Sequence, residues 1–265
     1  MSIFDSLILG LLQGITEFLP ISSSGHLVLG EHYLSLNVDG LKSFDVAVHL
    51  ATLLAVFVYF WKDILGMLKA LLRLIIGKLD KSDPYVKLIF YILIGSIPAM
   101  IFGLLCEEWI DAIFRNVRYV ALMMFVVGII YLFGELVYKK GKIQEMKWYK
   151  AVFIGIAQAV AIVPGISRSG STIVAGLFQG IERKEAARFS FLLGIPAILG
   201  AGFLTALKIP GNGGVGVDLL PLFIGFISAF VFGILSISFL MMFLKKNSLM
   251  VFAVYLIALG SIVFI

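Results

Sequence analysis

Apolar residues dominate this chain in long runs, and the polar positions that interrupt them fall into a pattern. Three runs in the first half are long enough for a helix to cross a hydrocarbon core of about 30 Å, which takes roughly 20 residues. They extend from about Phe44 to Trp61, Tyr85 to Leu105 and Tyr119 to Val137. Three more follow, from about Phe189 to Leu207, Leu219 to Leu244 and Leu249 to Ile265. Two further apolar segments are broken in the middle. One, from about Ser6 to Leu36, breaks at Pro20-Ile21-Ser22-Ser23-Ser24-Gly25. The other, from about Val152 to Gly180, breaks at Pro164-Gly165-Ile166-Ser167-Arg168-Ser169-Gly170.

Each break combines a helix stop with a helix start. Proline pushes the residue before it out of the helical region, and the serines that follow are N-cap types. A half-helix of about 13 residues reaches only ~20 Å, short of a crossing. The two segments are therefore expected to be re-entrant helix–loop–helix hairpins, whose irregular backbone is tolerated at membrane depth only inside protein or beside water. The predicted fold class is an all-α integral membrane protein of about six transmembrane helices plus these two hairpins.

The halves also resemble each other. Gly10, Gln13, Ser22, Ser24, Gly25 and Phe44 match Gly155, Gln158, Ser167, Ser169, Gly170 and Phe189 at a constant offset of 145. Ile94-Gly95 and Phe102-Gly103 match Ile224-Gly225 and Phe232-Gly233 at an offset of 130. One membrane domain, 1–265, is expected to contain two repeats, about 1–140 and 146–265. With three spans per repeat, the second must enter the membrane inverted.

Composition agrees: 61% of residues are hydrophobic and 14% charged, against roughly 45–50% and 25% in soluble domains. The single cysteine, Cys106, rules out an internal disulfide framework. Asp5 stands where a signal peptide would carry a basic residue, so the first apolar segment is expected in the folded protein. The net charge of +5 reflects topology, not nucleic-acid binding. Of the 21 Lys and Arg residues, Arg168 falls inside a broken segment, and Lys42, Arg115, Arg118 and Lys208 fall on one side. The other sixteen fall opposite, a side that the positive-inside rule makes cytoplasmic, with both termini outward. Labels at Lys140 and Lys245 are then expected from the cytoplasm, and one at Asn212 from outside.

Charged side chains at membrane depth cost several kcal/mol and mark function. Glu17, His26 and Arg168 are the candidates, and Gln13 shares a helix face with Glu17. Two half-helix N-termini meeting at the midplane would form an anion site from backbone N–H groups and dipoles. Ser22, Ser23, Ser24, Ser167, Ser169 and Thr172 add hydroxyls, and Arg168 offers a planar fork for phosphate oxygens. His26 suits acid–base work, while Glu17 could hold a divalent ion or position His26. A purely structural Glu17–Arg168 pair would leave the serines and His26 unexplained. His49, four residues after Asp45, ranks below these candidates. His32 is assigned to the interface, and Glu135 to snorkelling at the end of its span.

Gln13-x-x-x-Glu17, the Ser22–His26 stretch and Pro164-Gly-x-Ser-Arg-Ser-x-x-Thr172 together resemble the undecaprenyl-diphosphate phosphatase family of the bacitracin-resistance type. The resemblance covers essentially the whole chain. It implies hydrolysis of a polyprenyl diphosphate to the monophosphate, recycling the lipid carrier of cell-wall glycans and conferring bacitracin resistance. It implies a cell-membrane enzyme with its site open to the outer face, and a divalent cation, Mg²⁺ or Ca²⁺, tentatively on Glu17. It makes Glu17, His26 and Arg168 essential, with Ser23 the nucleophile or a phosphate ligand. Gly25, Gly165 and Gly170 join Gln13 and the remaining hydroxyls as binding residues. The lipid and the bilayer are the expected partners, and a homo-oligomer is left open. Gln13 stands where the pattern also accepts Glu, which weakens a two-carboxylate metal site. Type-2 phosphatidic acid phosphatases need a histidine nucleophile after the Ser-Arg pair, and none of His26, His32 and His49 follows Arg168. The remaining alternative is a transporter or flippase of polyprenyl phosphate, since inverted repeats are also transporter architecture.

Overall fold

A computed structural model of the chain describes residues 1–36, 41–77, 82–114, 116–138, 145–208 and 218–265, with backbone only at 107–114 and 206–208. Lys78, Lys81, Arg115, Lys139, Lys140, Lys142 and Asn212, used above for topology, lie outside the described residues.

Among the described residues every element is helical. In order they are α1 (Ile3–Phe18), α2 (Ser23–Tyr33), α3 (Lys42–Tyr59), α4 (Trp61–Ile75), α5 (Pro84–Phe114), α6 (Val117–Val137), α7 (Trp148–Val160), α8 (Arg168–Phe178), α9 (Arg183–Lys208), α10 (Leu219–Phe243) and α11 (Met250–Phe264). Helices α3, α6 and α10, with Pro84–Cys106 of α5 and Arg183–Thr205 of α9, are long and apolar enough to cross a bilayer. The sixth expected span is α11, apolar but 15 residues long, or about 22 Å. Large apolar side chains cover the outside, among them Leu93, Leu104, Phe133, Phe203 and Phe223. Water would penalise that surface, whereas lipid does not. The chain is an all-α, multi-pass integral membrane protein.

Both broken segments fold as hairpins of short helices. Leu19, held extended by Pro20, ends α1, and Ser22 caps α2 by accepting from the Gly25 N–H at 3.2 Å. Ser167 caps α8 by accepting from the Gly170 N–H, also at 3.2 Å. The two caps sit 145 residues apart, so one local grammar is used twice. Ser22 adopts φ +70°, a conformation that costs a non-glycine residue about 1–3 kcal/mol.

Packing between the halves is reciprocal. Helix α1 lies on α10 and α7 lies on α5, each pair closing on two glycines. A Cβ on Gly10 would stand 2.4 Å from the Gly225 carbonyl oxygen, and one on Gly155 would stand 2.1 Å from that of Gly95. Those four glycines belong to the two sets of matched positions, at offsets of 145 and 130. Small residues allow helix backbones to approach where lipid provides no hydrophobic drive between helices.

Two findings differ from the expectations above. The stretch after α3, for which no element was expected, forms α4, because its apolar positions recur every three or four residues. Glu135 does not snorkel. It is buried, takes both Nε and Nη2 of Arg183, and accepts from the Leu249 N–H at 2.7 Å. This carboxylate ties α6 and α9 to the start of α11, which carries a side chain of the site.

Candidate active site

The site forms where the end of α1 and the start of α2 meet the start of α8. Glu17, one turn before the Pro20 break, is 5% exposed, and both of its oxygens are engaged. Arg168, the first residue of α8, donates from Nη2 to Oε1 in a buried ion pair. Oε2 accepts from Ser23 Oγ at 2.7 Å and from Gln13 Nε2 at 3.0 Å. Ser169 fixes the approach of the hairpins by donating from Oγ to the Leu19 carbonyl at 3.3 Å. Residues some 150 positions apart in the chain thus share one carboxylate. Removing either member of a buried ion pair leaves an uncompensated charge worth about 3–5 kcal/mol.

Arg168 is held from two directions. Its Nη2 faces Glu17, while Nη1 is buried with no hydrogen-bond partner among the described residues. A Cβ on Gly194 of α9 would lie 1.9 Å from Nη1. The missing side chain at Gly194 is the slot the guanidinium occupies. A buried donor without an acceptor is costly, and an arginine fork matches phosphate oxygens in pairs. Nη1 is thus a buried guanidinium donor left without an acceptor among the described residues, a need that a phosphate oxygen is chemically suited to meet.

The remaining expected residues divide into four groups. Ser23 and Ser24, at the start of α2, are half-buried. Ser22, Ser167, Gly25 and Gly170 build the caps: Gly25 gives α2 room against Met124, and a Cβ on Gly170 would strike the Tyr131 hydroxyl at 2.0 Å. Gly165 has φ +92° and closes on the Val120 carbonyl oxygen, so a side chain there is excluded on two counts. Thr172 is fully buried, and its Oγ1 meets Ser190 Oγ at 2.6 Å and the Arg168 carbonyl at 2.8 Å. It braces α8 against α9.

His26 is not beside Glu17's oxygens in the manner expected. Its Nδ1–H donates to the Ser22 carbonyl at 2.8 Å, which leaves Nε2 to accept from the Tyr255 hydroxyl at 2.8 Å. The two rings lie nearly parallel, 10° apart. Both ring nitrogens are committed, one to the turn presenting Ser23 and the other to α11. Tyr255 escaped sequence reasoning because one tyrosine in an apolar span carries no local mark. His49, ranked low, stands with Nε2 3.9 Å from Glu17 Oε2, its Nδ1–H given to the Asp45 carbonyl at 2.7 Å. Its spacing from Asp45 was the available signal.

Glu17 is the carboxylate a divalent ion would meet here, and Mg²⁺ at phosphate sites is held by one or two carboxylates together with substrate phosphates. In this structure Glu17 accepts from Arg168, Ser23 and Gln13. Among the described residues no three His, Cys, Asp or Glu side chains form a metal-holding group.

Comparison with known proteins finds relatives over nearly the whole chain. The sequence model of the bacitracin resistance protein BacA family matches residues 6–262. The chain belongs to that family. A relative from Rubrobacter xylanophilus named undecaprenyl-diphosphatase is 42% identical over 266 residues, covering 99% of this chain and 97% of that protein. One of the same name from Methanosphaera stadtmanae is 40% identical over 276 residues, covering 100% and 98%. Another, from Halothermothrix orenii, is 41% identical over 266 residues, covering 100% and 98%. Membership thus extends across both hairpins of this BacA-family chain and every span between them.

Proposed function

We propose that the chain hydrolyses undecaprenyl diphosphate to undecaprenyl phosphate and inorganic phosphate, with Ser23 as nucleophile, Glu17 as its base and Arg168 as the phosphate clamp. The observation that carries this reading is the Ser23 hydroxyl on Glu17 Oε2, beside an arginine with one free prong. The names of the relatives support the substrate.

In this mechanism the terminal phosphoryl group sits against Arg168 Nη1 and the N-terminal amides of α2 and α8. Ser23 Oγ gives its proton to Glu17 and attacks the terminal phosphorus. The bond from phosphorus to the bridging oxygen breaks, and its electron pair leaves with the lipid monophosphate. That leaving group has a second ionisation near 6, roughly, and departs without an acid. His49 Nε2, with its lone pair toward Glu17, first relays that proton away and leaves Glu17 ionised. Water then gives a proton to Glu17 as it attacks the phosphoserine, and Glu17 passes this proton to Ser23 Oγ as the bond from phosphorus to Oγ breaks, which releases inorganic phosphate and restores Ser23. His26 acts as a positioning residue: it closes the turn that presents Ser23 and fastens it to Tyr255.

Location follows from charge. The sixteen-to-four division of basic residues supports a cell-membrane protein with both termini outward, and a site reached from the outer face. The reciprocal glycine contacts, Gly10 on Gly225 and Gly155 on Gly95, support two inverted repeats. A flippase is not favoured, because transport requires no hydroxyl held on a carboxylate beside the anion site.

Phosphate release by purified protein tests the proposal, with farnesyl and longer diphosphates as substrates and the corresponding monophosphates as controls. Release from diphosphates alone is expected. Movement of lipid between leaflets without phosphate release would establish the transporter instead.

A further inference from the structure

Helix α4 plays no part in the site, and its surface has three distinct stripes. Asp63, Gly66 and Ala70 face the protein: Asp63 accepts from Arg188 of α9, Gly66 packs on the Tyr85 ring, and Ala70 is buried. Trp61, Leu65, Leu68, Leu72 and Ile75 recur at +4, +7, +11 and +14, which places them on one stripe. They are 42% to 74% exposed. Beside that stripe, at +7 and +11 from Lys62, run Lys62, Lys69 and Arg73, all exposed. Arg73 also reaches Asp83 at 3.3 Å, and Lys62 Nζ lies 5.7 Å from the Trp61 ring centre.

We infer that α4 lies in the plane of the membrane surface, with its leucine stripe among acyl chains and its basic stripe binding anionic phospholipid headgroups. The charge pattern selects this occupant. The helix has one acidic residue, Asp63, and that is turned inward onto Arg188, so its outward polar stripe carries only basic residues, of which Arg73 also pairs with Asp83. An apolar stripe flanked by Lys and Arg suits a helix lying at the headgroup boundary. The ion pair to α9 fixes the rotation that turns both stripes outward. The site works on a lipid diphosphate, whereas α4 would hold structural lipid, and the two functions are separable.

Trp61 reports on the inference directly. With Trp109→Phe and Trp148→Phe in the full-length protein, Trp61 becomes the single tryptophan of the three. The protein is reconstituted in vesicles of phosphatidylcholine and phosphatidylglycerol, with bromine on the acyl chains of one lipid at a time. Quenching by both brominated lipids is expected, at equal bromine content stronger from phosphatidylglycerol, and weakened by salt. Each basic residue near an anionic surface is worth roughly a fivefold enrichment. Lys69→Gln with Arg73→Gln should therefore remove most of the preference while leaving the quenching itself. The salt dependence of the parent protein decides the matter even if that variant does not fold. Equal quenching by both lipids would overturn the headgroup assignment. No quenching, with disulfide cross-linking of Leu68→Cys between protomers, would place a second copy of the chain on this face instead.

Discussion

Laid over each other at an offset of 145, the two hairpins agree in the hydrogen bond that caps each returning half-helix, although Ser22 is left-handed and Ser167 extended, and they disagree wherever chemistry is done. Ser22 and Ser167 cap the returning half-helix in the same way, and Gly25 and Gly170 supply the capped N–H in both. Glu17, Ser23 and His26, however, stand opposite Ile162, Arg168 and Ser171. One hairpin contributes a carboxylate and the hydroxyl it holds, and the other contributes the cation. In the proposed mechanism the first hairpin is the reacting half and the second the gripping half. The glutamines show the consequence. Gln13 donates to Glu17, while Gln158, facing no glutamate, is buried with both amide atoms unpartnered among the described residues.

The gripping half should fail first when its geometry changes. Arg168→Lys keeps the charge next to Glu17 but loses the second prong, because an ammonium is a point charge. Hydrolysis should fall by about a hundredfold, or ~2.7 kcal/mol, in a steady-state phosphate-release assay. Near-normal turnover would reduce Arg168 to a counter-ion. Gly194→Ala sharpens the same point without touching a charged group. Its methyl would occupy the position of Nη1, and a displacement of about 1 Å can cost up to 10²-fold. About a tenfold loss is expected, appearing mainly in kcat, with the helical circular dichroism unchanged.

The reacting half offers a smaller test. Tyr255→Phe removes one hydroxyl and leaves the ring against His26. One neutral hydrogen bond is worth about 1 kcal/mol, so activity should drop roughly fivefold. A larger loss would mean that the hydroxyl itself contacts the substrate. The smallest effect is predicted for Gln158→Leu, which replaces an unpartnered buried amide by an apolar side chain of similar size. Thermal unfolding in detergent should show unchanged or higher stability, by up to about 1 kcal/mol, with full activity. A marked loss of activity would show that Gln158 has a partner in the working enzyme.

How far these features could be read without coordinates depended on how local their causes were. The breaks at Pro20 and Pro164 are written in neighbouring residues, since a proline followed by Ser and Gly stops one helix and caps the next. Glu17 and Arg168 were legible as buried charges, but their pairing was set aside as leaving the serines and His26 unexplained, whereas the structure pairs them and puts Ser23 on the same carboxylate. Gly10 and Gly155 stood out by repetition, but only packing showed that each meets a glycine of the other half's span. Helix α4 was passed over because its charges break the apolar run before it reaches the length of a span. Tyr255 and Gly194 were illegible: each acts across the fold, one by a hydroxyl and the other by the absence of a side chain. Glu135 was misread for a similar reason, as its partners, Arg183 and the Leu249 N–H, come from distant parts of the chain.

The division of labour between the hairpins is tested most directly by Ser23→Ala, measured for binding and hydrolysis on the same preparation. The variant keeps Arg168, the Glu17 pair and both half-helix N-termini. It should bind a non-hydrolysable lipid diphosphate analogue within about tenfold of the parent protein, or ~1.4 kcal/mol. Hydrolysis should fall by at least about a hundredfold, as expected when an activated nucleophile is removed. Binding and hydrolysis falling together would make Ser23 a ligand of the phosphate. Hydrolysis at the parent rate would contradict the account outright.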